Sequence, residues 1–212
     1  MFYFLVASFY FRAKEIYMKI IGLYVFLFFS SYAYAGEALA FDMFLMGKKI
    51  GELNIQKELN TDGEEIYTLQ SQARAKVLWI DRAQQTNYKV IYKNGKLFQS
   101  SHEYIDHPDK SSSCTIKLIE DKYQVTHNGR CFFLKESPRF SVLAMYFKEP
   151  IGIKKLLYEV DGTFSEIKNT TPNTYVYKSS DGNVNTYIFK NGKIQEIEVQ
   201  VGLITVKIKR KN

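Results

Sequence analysis

The chain has 212 residues, two cysteines and a formal net charge of +7. This length suits one domain with its own core behind a short N-terminal segment. The basic residues are spread along the chain except for a cluster at 207–211, so the dense basic face of a nucleic-acid-binding protein is missing. We therefore expect no nucleic-acid partner.

Residues 1–35 carry the pattern of a secretory signal peptide. A basic residue, Lys19, precedes an apolar run at 20–29, and the small residues Ala33 and Ala35 match a cleavage site. The apolar run is too short for a comfortable membrane-spanning helix, which needs about 20 apolar residues. We therefore predict that this segment directs export and is removed.

The start and the fate of this signal leave alternatives open. Met18 is a second candidate start, so the signal is either an ordinary one over 18–35 or a longer one with an extended front. A retained N-terminal anchor is the minority alternative. We favour cleavage between Ala35 and Gly36, and no Cys follows that could carry a lipid. The expected product is a single domain, 36–212, in the periplasm or outside the cell, with no stable transmembrane anchor after processing.

Six turn dipeptides punctuate this domain. Asp-Gly or Asn-Gly, which accept the positive φ angles of tight hairpins, occurs at 62–63, 94–95, 128–129, 161–162, 181–182 and 191–192. The apolar and alternating runs between them predict strands at 38–46, 49–59, 65–79, 84–93, 96–105, 114–120, 122–127, 130–135, 155–160, 163–169, 174–179, 183–190 and 193–209. We predict a mainly β fold: an antiparallel meander that forms a strongly curved sheet or partly open barrel.

The hairpin around Asn94-Gly95 gives the clearest register. A two-residue turn places Tyr92 opposite Leu97 and Ile91 opposite Phe98. Both faces of this hairpin are then apolar near the turn, as expected if one face covers a core and the other meets an added layer or a ligand.

One short helix is predicted at about 139–147. Val142, Leu143 and Tyr146 fall at helical spacing, and Pro150 disfavours helical backbone in the residue before it. Such a helix could plug one end of a curved sheet.

The last predicted strand, 193–209, changes its apolar face. Apolar side chains occupy odd positions up to Leu203 and even positions from Ile204 onward. A strand cannot exchange its faces without an inserted residue or a bend. We therefore predict a bulge or kink near Gly202–Leu203.

The two cysteines, Cys114 and Cys131, support opposite interpretations. An exported domain favours a disulfide. A simple meander instead places Cys114 two strands away from Cys131, out of register and with opposite side-chain parity, beyond the roughly 7 Å between Cα atoms that a bridge allows. A disulfide and two free thiols remain equal alternatives.

No other residues form a recognisable catalytic or metal motif. The His102–Asp109 segment gathers two His and three carboxylates, but its Pro and following serines favour a solvated loop over a weak metal site. Motifs such as Gly-x-Ser-x-Gly or a Gly-rich phosphate loop are missing from the sequence. We expect no catalytic residue, no metal and no cofactor, and we expect Trp79 to pack in the core or at a sheet edge.

Short motifs in the chain resemble an uncharacterised family of exported, β-rich bacterial proteins. They are the Tyr-Phe-Lys-Glu-Pro segment at 146–150, the Tyr-Ile-Phe-Lys-Asn-Gly hairpin at 187–192 and the Gly-Lys-Lys-Ile-Gly opening hairpin at 47–51. The resemblance implies an exported all-β protein. It implies no activity, because the family is a domain of unknown function.

Two functions fit these features. The first is a non-catalytic binding or carrier module for an apolar small molecule or lipid-like ligand, held by the curved sheet. The alternative is a structural or interaction protein of the cell envelope whose core is filled by its own side chains. An enzyme is a distant third. A cavity above about 300 Å³ would favour the first, and a filled interior would favour the second.

Overall fold

The computed structural model describes residues 36–77, 80–107 and 110–211. Within these ranges fourteen strands follow one another along the chain. They are β1 (Glu37–Leu45), β2 (Lys48–Leu59), β3 (Glu65–Val77), β4 (Ile80–Lys93), β5 (Lys96–His107), β6 (Lys110–Ile119), β7 (Lys122–His127), β8 (Arg130–Phe133), β9 (Lys155–Tyr158), β10 (Thr163–Thr171), β11 (Thr174–Lys178), β12 (Val184–Lys190), β13 (Lys193–Val201) and β14 (Ile204–Arg210). The predicted signal peptide with its cleavage residue Ala35, and Trp79, lie outside the described residues.

All strands belong to one antiparallel sheet that is not closed. Each strand pairs with its neighbour along the chain, except between β8 and β9, which form the two edges. The first and last strands, β1 and β14, pair in the middle of the sheet, with Phe41 opposite Arg210. The mainly β, antiparallel meander predicted from the turn dipeptides is confirmed.

The predicted turns form where the dipeptides lie. Asn94, Asn128 and Asn191 have φ angles of 51°, 47° and 54°, and each is followed by a Gly with positive φ. The predicted pairing of Tyr92 with Leu97 is correct. The pairing of Ile91 with Phe98 is wrong, because a bulge sets Ile91 opposite Gln99.

The irregularity predicted near Gly202–Leu203 is a chain reversal, not a bulge. Strand β13 ends at Val201, and β14 begins at Ile204 directly opposite it. Like an inserted residue, a two-residue turn accounts for the change of the apolar side chains from odd to even positions, because Val201 then lies opposite Ile204. It converts one predicted strand into a hairpin, whose turn uses the positive φ of Gly202, 59°.

The predicted helix at 139–147 is reduced to a 3₁₀ helix at Leu143–Tyr146. The residues before it pair with β9 instead: Leu157 N–H donates to Phe140 O, and Val142 N–H donates to Leu157 O. These hydrogen bonds hold the backbone extended where a helix would begin. Among the described residues, no helix has the length and apolar character needed to cross a membrane.

One face of the sheet forms the core. Along β2, the side chains of Leu53 and Ile55 are buried while Glu52, Asn54 and Gln56 are exposed, as a period of two requires. The buried core includes Leu39, Phe41, Leu69, Val90, Ile116, Val125, Ile167, Ile194, Ile197 and Ile208. Apolar side chains from both halves of the sheet therefore share one interior.

The β9–β10 turn shows how far the sheet curls. Gly162 in this turn is buried, and a Cβ built on it would lie 2.6 Å from Cγ1 of Val125 on β7. Strand β9 is one edge of the sheet, and β7 is next to the other edge. Opposite ends of the strand order are therefore in contact, as in a partly open barrel.

Candidate functional site: the filled interior

Residues 134–154, the connector, join the two edge strands and enter the interior. The apolar side chains of its middle part, Phe140, Val142, Leu143, Met145 and Tyr146, are buried. They belong to the same core cluster as the inward side chains of the sheet. The connector therefore acts as an internal plug and not as a surface loop.

Aromatic contacts fix the plug against both halves of the sheet. The ring centroid of Tyr146 lies 5.6 Å from that of Phe41 on β1 and 6.3 Å from that of Tyr187 on β12. Phe147 packs edge-on against Tyr67 of β3, with centroids 5.5 Å apart. Edge-to-face pairs of this kind contribute about 1 kcal/mol each beyond their burial. The plug is therefore part of the core.

Glu159, at the start of the β9–β10 turn, anchors the connector. Its side chain is fully buried and accepts hydrogen bonds from the backbone N–H of Val142 (3.2 Å) and of Leu143 (3.4 Å). Burial raises the pKa of this carboxyl to about 7, although hydrogen bonding with Ser141 and these backbone groups opposes the rise. Glu159 therefore changes charge near neutral pH inside the core.

Tyrosines surround this carboxyl group. Tyr88, Tyr146, Tyr158 and Tyr187 come from different parts of the chain, and burial together with the neighbouring charge of Glu159 raises the pKa of each phenol. They stay neutral at physiological pH. A buried phenol offers an apolar ring and one hydrogen-bonding group, which suits a core that also holds a carboxyl.

A row of side chains crosses three adjacent strands in register: Tyr88 on β4, His102 on β5 and Cys114 on β6. His102 is only 3% exposed, and its ring centroid lies 4.4 Å from that of Tyr88. The prediction of a solvated loop at this histidine is therefore wrong. The side chain of His102 lies two positions after buried Ser100, so strand alternation could have indicated that it points inward. The Pro and Ser residues that follow it favoured a solvated loop instead.

This row lacks the features of a nucleophilic site. Burial lowers the pKa of His102 to about 4 and raises the pKa of the Cys114 thiol to about 12, so both are neutral at pH 7. A reactive cysteine needs its thiolate. Within the ranges that the structure describes, no group of three or more His, Cys, Asp or Glu side chains is placed to hold a metal ion.

In the structure Cys114 and Cys131 are free thiols and are not joined by a disulfide. Cys114 is buried and lies opposite His127, whereas Cys131 is exposed and lies opposite Thr126. The two side chains point to opposite faces of the sheet from strands that are not neighbours. The sequence analysis predicted this separation by two strands and this opposite side-chain parity for a simple meander.

Thiol labelling should separate the two cysteines. We expect a maleimide to modify Cys131 rapidly in the native protein and Cys114 only after unfolding, because burial shields Cys114 and keeps it protonated. Intact-mass measurement before and after denaturant counts the modified thiols. Loss of both thiols in the non-reduced protein would contradict this prediction.

Glu159 is the interior group that the sequence analysis missed. It directly follows the apolar run Leu156-Leu157-Tyr158, and Val160 follows it. A single acidic residue inside an apolar run was the available signal. Its nearness to an Asp-Gly turn made solvent exposure the simpler interpretation.

Two grooves on the described surface open to solvent. One, of about 650 Å³, lies on the outer face of β2, β3 and β4 and is lined mostly by polar side chains that include Glu52, Gln72 and Arg74. Another, of about 450 Å³, is lined by Phe44, Met46, Gly47, Thr205, Lys207 and Lys209. These grooves are separate from the tyrosine-rich interior.

The fold and its interior define an open, barrel-like antiparallel β domain that is plugged by its own connector. The chain belongs to the family described as a domain of unknown function, DUF6134, whose model matches residues 41–211. The comparison with curated proteins gives no match.

Among solved structures, the chain is similar to a β-barrel-like protein of the domain of unknown function DUF1849 from Brucella abortus. The TM-score is 0.55 at 13% sequence identity, and the alignment covers 84% of this chain and 96% of that chain. At this identity the similarity concerns the fold alone.

Proposed function

We propose that this domain is a non-catalytic interaction module of the cell envelope, exported by the signal peptide at 1–35 and filled internally by its own side chains. The observation that carries the proposal is the plugged interior. Met145 is fully buried in the connector, and Tyr146 packs against both β1 and β12. A module built in this way meets its partner at its surface.

The interior chemistry supports a non-catalytic role. Enzymes tune a nucleophile or a general base and leave room beside it for a substrate. Here the thiol of Cys114 and the imidazole of His102 are neutral and buried, and the backbone of the connector occupies both oxygens of Glu159. These groups are therefore engaged in packing and hydrogen bonding within the domain.

The filled interior favours this module over the carrier of an apolar ligand. A ligand of ordinary size needs a cavity of about 300–1,000 Å³ with mostly apolar walls. Among the side chains that would form such walls, Tyr187 packs against Tyr146 of the connector, and Phe189 packs against Tyr175. A carrier would first have to displace the connector and break its hydrogen bonds with Glu159.

Native mass spectrometry tests the proposal. We expect the protein purified from its own envelope to show the mass of the chain alone, because the described core side chains pack against one another and against the connector. The Met145→Ala variant is the positive control, since removing a fully buried side chain opens a cavity that can admit a small apolar probe. A lipid that co-purifies in a fixed ratio with the native chain, and equally with a chain that carries Met46→Ser and Leu203→Ser at its exposed hairpin tips, would contradict the proposal.

A further inference from the structure

Two hairpin tips lie side by side at one end of the sheet. The β1–β2 hairpin turns at 46–47, and the β13–β14 hairpin turns at 202–203. The turns are neighbours because β1 pairs with β14. We call residues 44–49 and 201–207 the tip surface.

Apolar side chains project from the tip surface into solvent. Met46 is 88% exposed, Leu203 is fully exposed, and Val201 and Ile204 are about half exposed, at 48% and 49%. A Cβ built on Gly202 meets nothing within 4 Å, so the space beside this residue is open. Such a cluster of exposed apolar groups on a protein surface is typical of a binding site.

Met46 departs from the turn chemistry used elsewhere in the chain. Its φ is 48°, in a region that is unfavourable for most L-residues. The other described non-Gly residues with positive φ are asparagines and Glu120, so Met46 is the apolar side chain among them. A methionine at this position gains no burial within the domain. Contact with something outside the domain would explain the residue type.

Lysines surround the apolar tips, and carboxylates lie farther back along the strands. Lys48 is exposed and makes no ion pair with a described residue. Lys49 and Lys207 each lie 2.5 Å from a carboxylate, those of Glu52 and Glu198. The tip surface itself contains no acidic residue. Its outermost charge is therefore positive.

A groove joins the apolar and basic parts of this surface. It has a volume of about 450 Å³, and its walls include Phe44 and Met46 together with Lys207 and Lys209. Lysine can lay its apolar stem along such a groove and keep its ammonium group at a polar boundary. The arrangement matches a lipid, which has an apolar chain below an anionic headgroup.

We propose that the tip surface docks the domain on an anionic lipid bilayer, with Met46 and Leu203 inserted among the lipids and the lysines at the headgroups. The inference rests on the proposed function and names the partner of that module. A stable protein interface covers about 800 Å² per partner and has a buried centre. Two projecting hairpin tips do not form a broad surface of that kind, so they favour a bilayer over a protein as the partner. Apolar tips with lysines beside them suit the membrane interface instead.

Vesicle flotation tests the docking with the processed chain, 36–212. We expect it to float with vesicles of equal parts phosphatidylglycerol and phosphatidylethanolamine and to stay unbound with phosphatidylcholine alone. The double variant Met46→Ser, Leu203→Ser should bind the anionic vesicles about tenfold more weakly or worse, since it removes the inserted apolar area. Both side chains are exposed, so the variant should keep the thermal stability of the native chain.

Ile151→Ser is the matched control. Ile151 is also well exposed, at 76%, but it lies in the connector near Glu149, whose carboxylate accepts a hydrogen bond from Tyr175. This control should float like the native chain. Lys48→Glu should also weaken binding to the anionic vesicles, and added salt should weaken the binding of the native chain. Equal flotation of the double variant and the native chain would overturn the proposal.

Failure of this inference can be distinguished from failure of the proposed function. If the native chain carries no ligand and does not float, the membrane partner is ruled out and the proposal of a self-filled module stands. If the native chain carries a lipid and the tip substitutions do not change its flotation, both proposals are ruled out. Flotation that depends on the tips in a ligand-free chain supports both.

Discussion

The stability of the Glu159→Gln variant relative to the native protein should rise by about 3 kcal/mol between pH 4.5 and pH 8. This change corresponds to the difference between the ordinary carboxyl pKa of 4.5 and the value of about 7 in the folded protein, at about 1.4 kcal/mol per unit. Chemical denaturation across this pH range measures the free energy of unfolding directly.

The sign follows from proton binding. Between pH 4.5 and pH 7 the folded protein holds the Glu159 proton more tightly than the unfolded chain does. The contribution of this group to stability is therefore fully present below pH 4.5 and is lost as the pH rises through about 7. Glutamine is neutral at every pH and has nearly the shape of the carboxyl group, but its amide nitrogen cannot accept a hydrogen bond from a backbone N–H. The variant therefore carries a cost that does not change with pH, and it lacks the charging penalty that grows as the pH rises.

His102 contributes with the opposite sign. Its pKa falls from 6.5 to about 4 on folding, so its contribution is present above pH 6.5 and is lost as the pH falls through about 4. The two groups oppose each other in the native profile, which should be flatter than either contribution alone. The informative quantity is therefore the difference between the native protein and Glu159→Gln at each pH.

Glu166→Gln provides the control for this comparison. Glu166 lies on β10 and is exposed, so the same chemical change occurs without burial. We expect its stability difference from the native protein to stay within about 0.5 kcal/mol at each pH. A Glu159→Gln difference that is flat from pH 4.5 to pH 8 would contradict the anchoring role of a buried, titrating carboxyl.

The parts of the fold that local chemistry controls were predictable from the sequence. Asn94-Gly95 and Asn191-Gly192 specify turns within two residues, and the strands between turns then pair with their neighbours. The sequence located the position near Gly202 where the apolar side chains change from odd to even numbers. It did not identify the structure there, because a bulge and a two-residue turn both produce this change. Local patterning also overestimated the helix, since the pairing of Val142 with Leu157 is a long-range contact.

The interior could not be predicted because it depends on curvature. Tyr187 and Phe41 become neighbours of Tyr146 only when the sheet curls around the connector. The sequence establishes that both are apolar strand residues, but it does not specify whether their shared space is empty or filled. The choice between a carrier and a self-filled module therefore required the packing, and the same holds for the burial of Glu159.

Replacement of Gly162 by Ala should destabilise the domain strongly, because two independent costs meet at this residue. Its φ is +73°, where an L-residue costs about 1–2 kcal/mol. The added Cβ would also lie 2.6 Å from Cγ1 of Val125, and forced overpacking of a core costs about 1–3 kcal/mol. We expect a total loss of about 2–5 kcal/mol in the free energy of unfolding, measured by denaturant titration.

Gly192→Ala separates these two costs. Gly192 has nearly the same φ, +72°, but a Cβ there meets nothing within 4 Å, so its replacement should show the backbone cost alone. Val125→Ala should cost less stability in the Gly162→Ala background than in the native chain, because there it also removes the clashing methyl groups, and a double-mutant cycle measures that coupling. Equal losses at Gly162 and Gly192 would mean that the β9–β10 turn does not press against β7. The contact that brings the two ends of the sheet together, and with it the enclosed interior around Glu159, would then be absent.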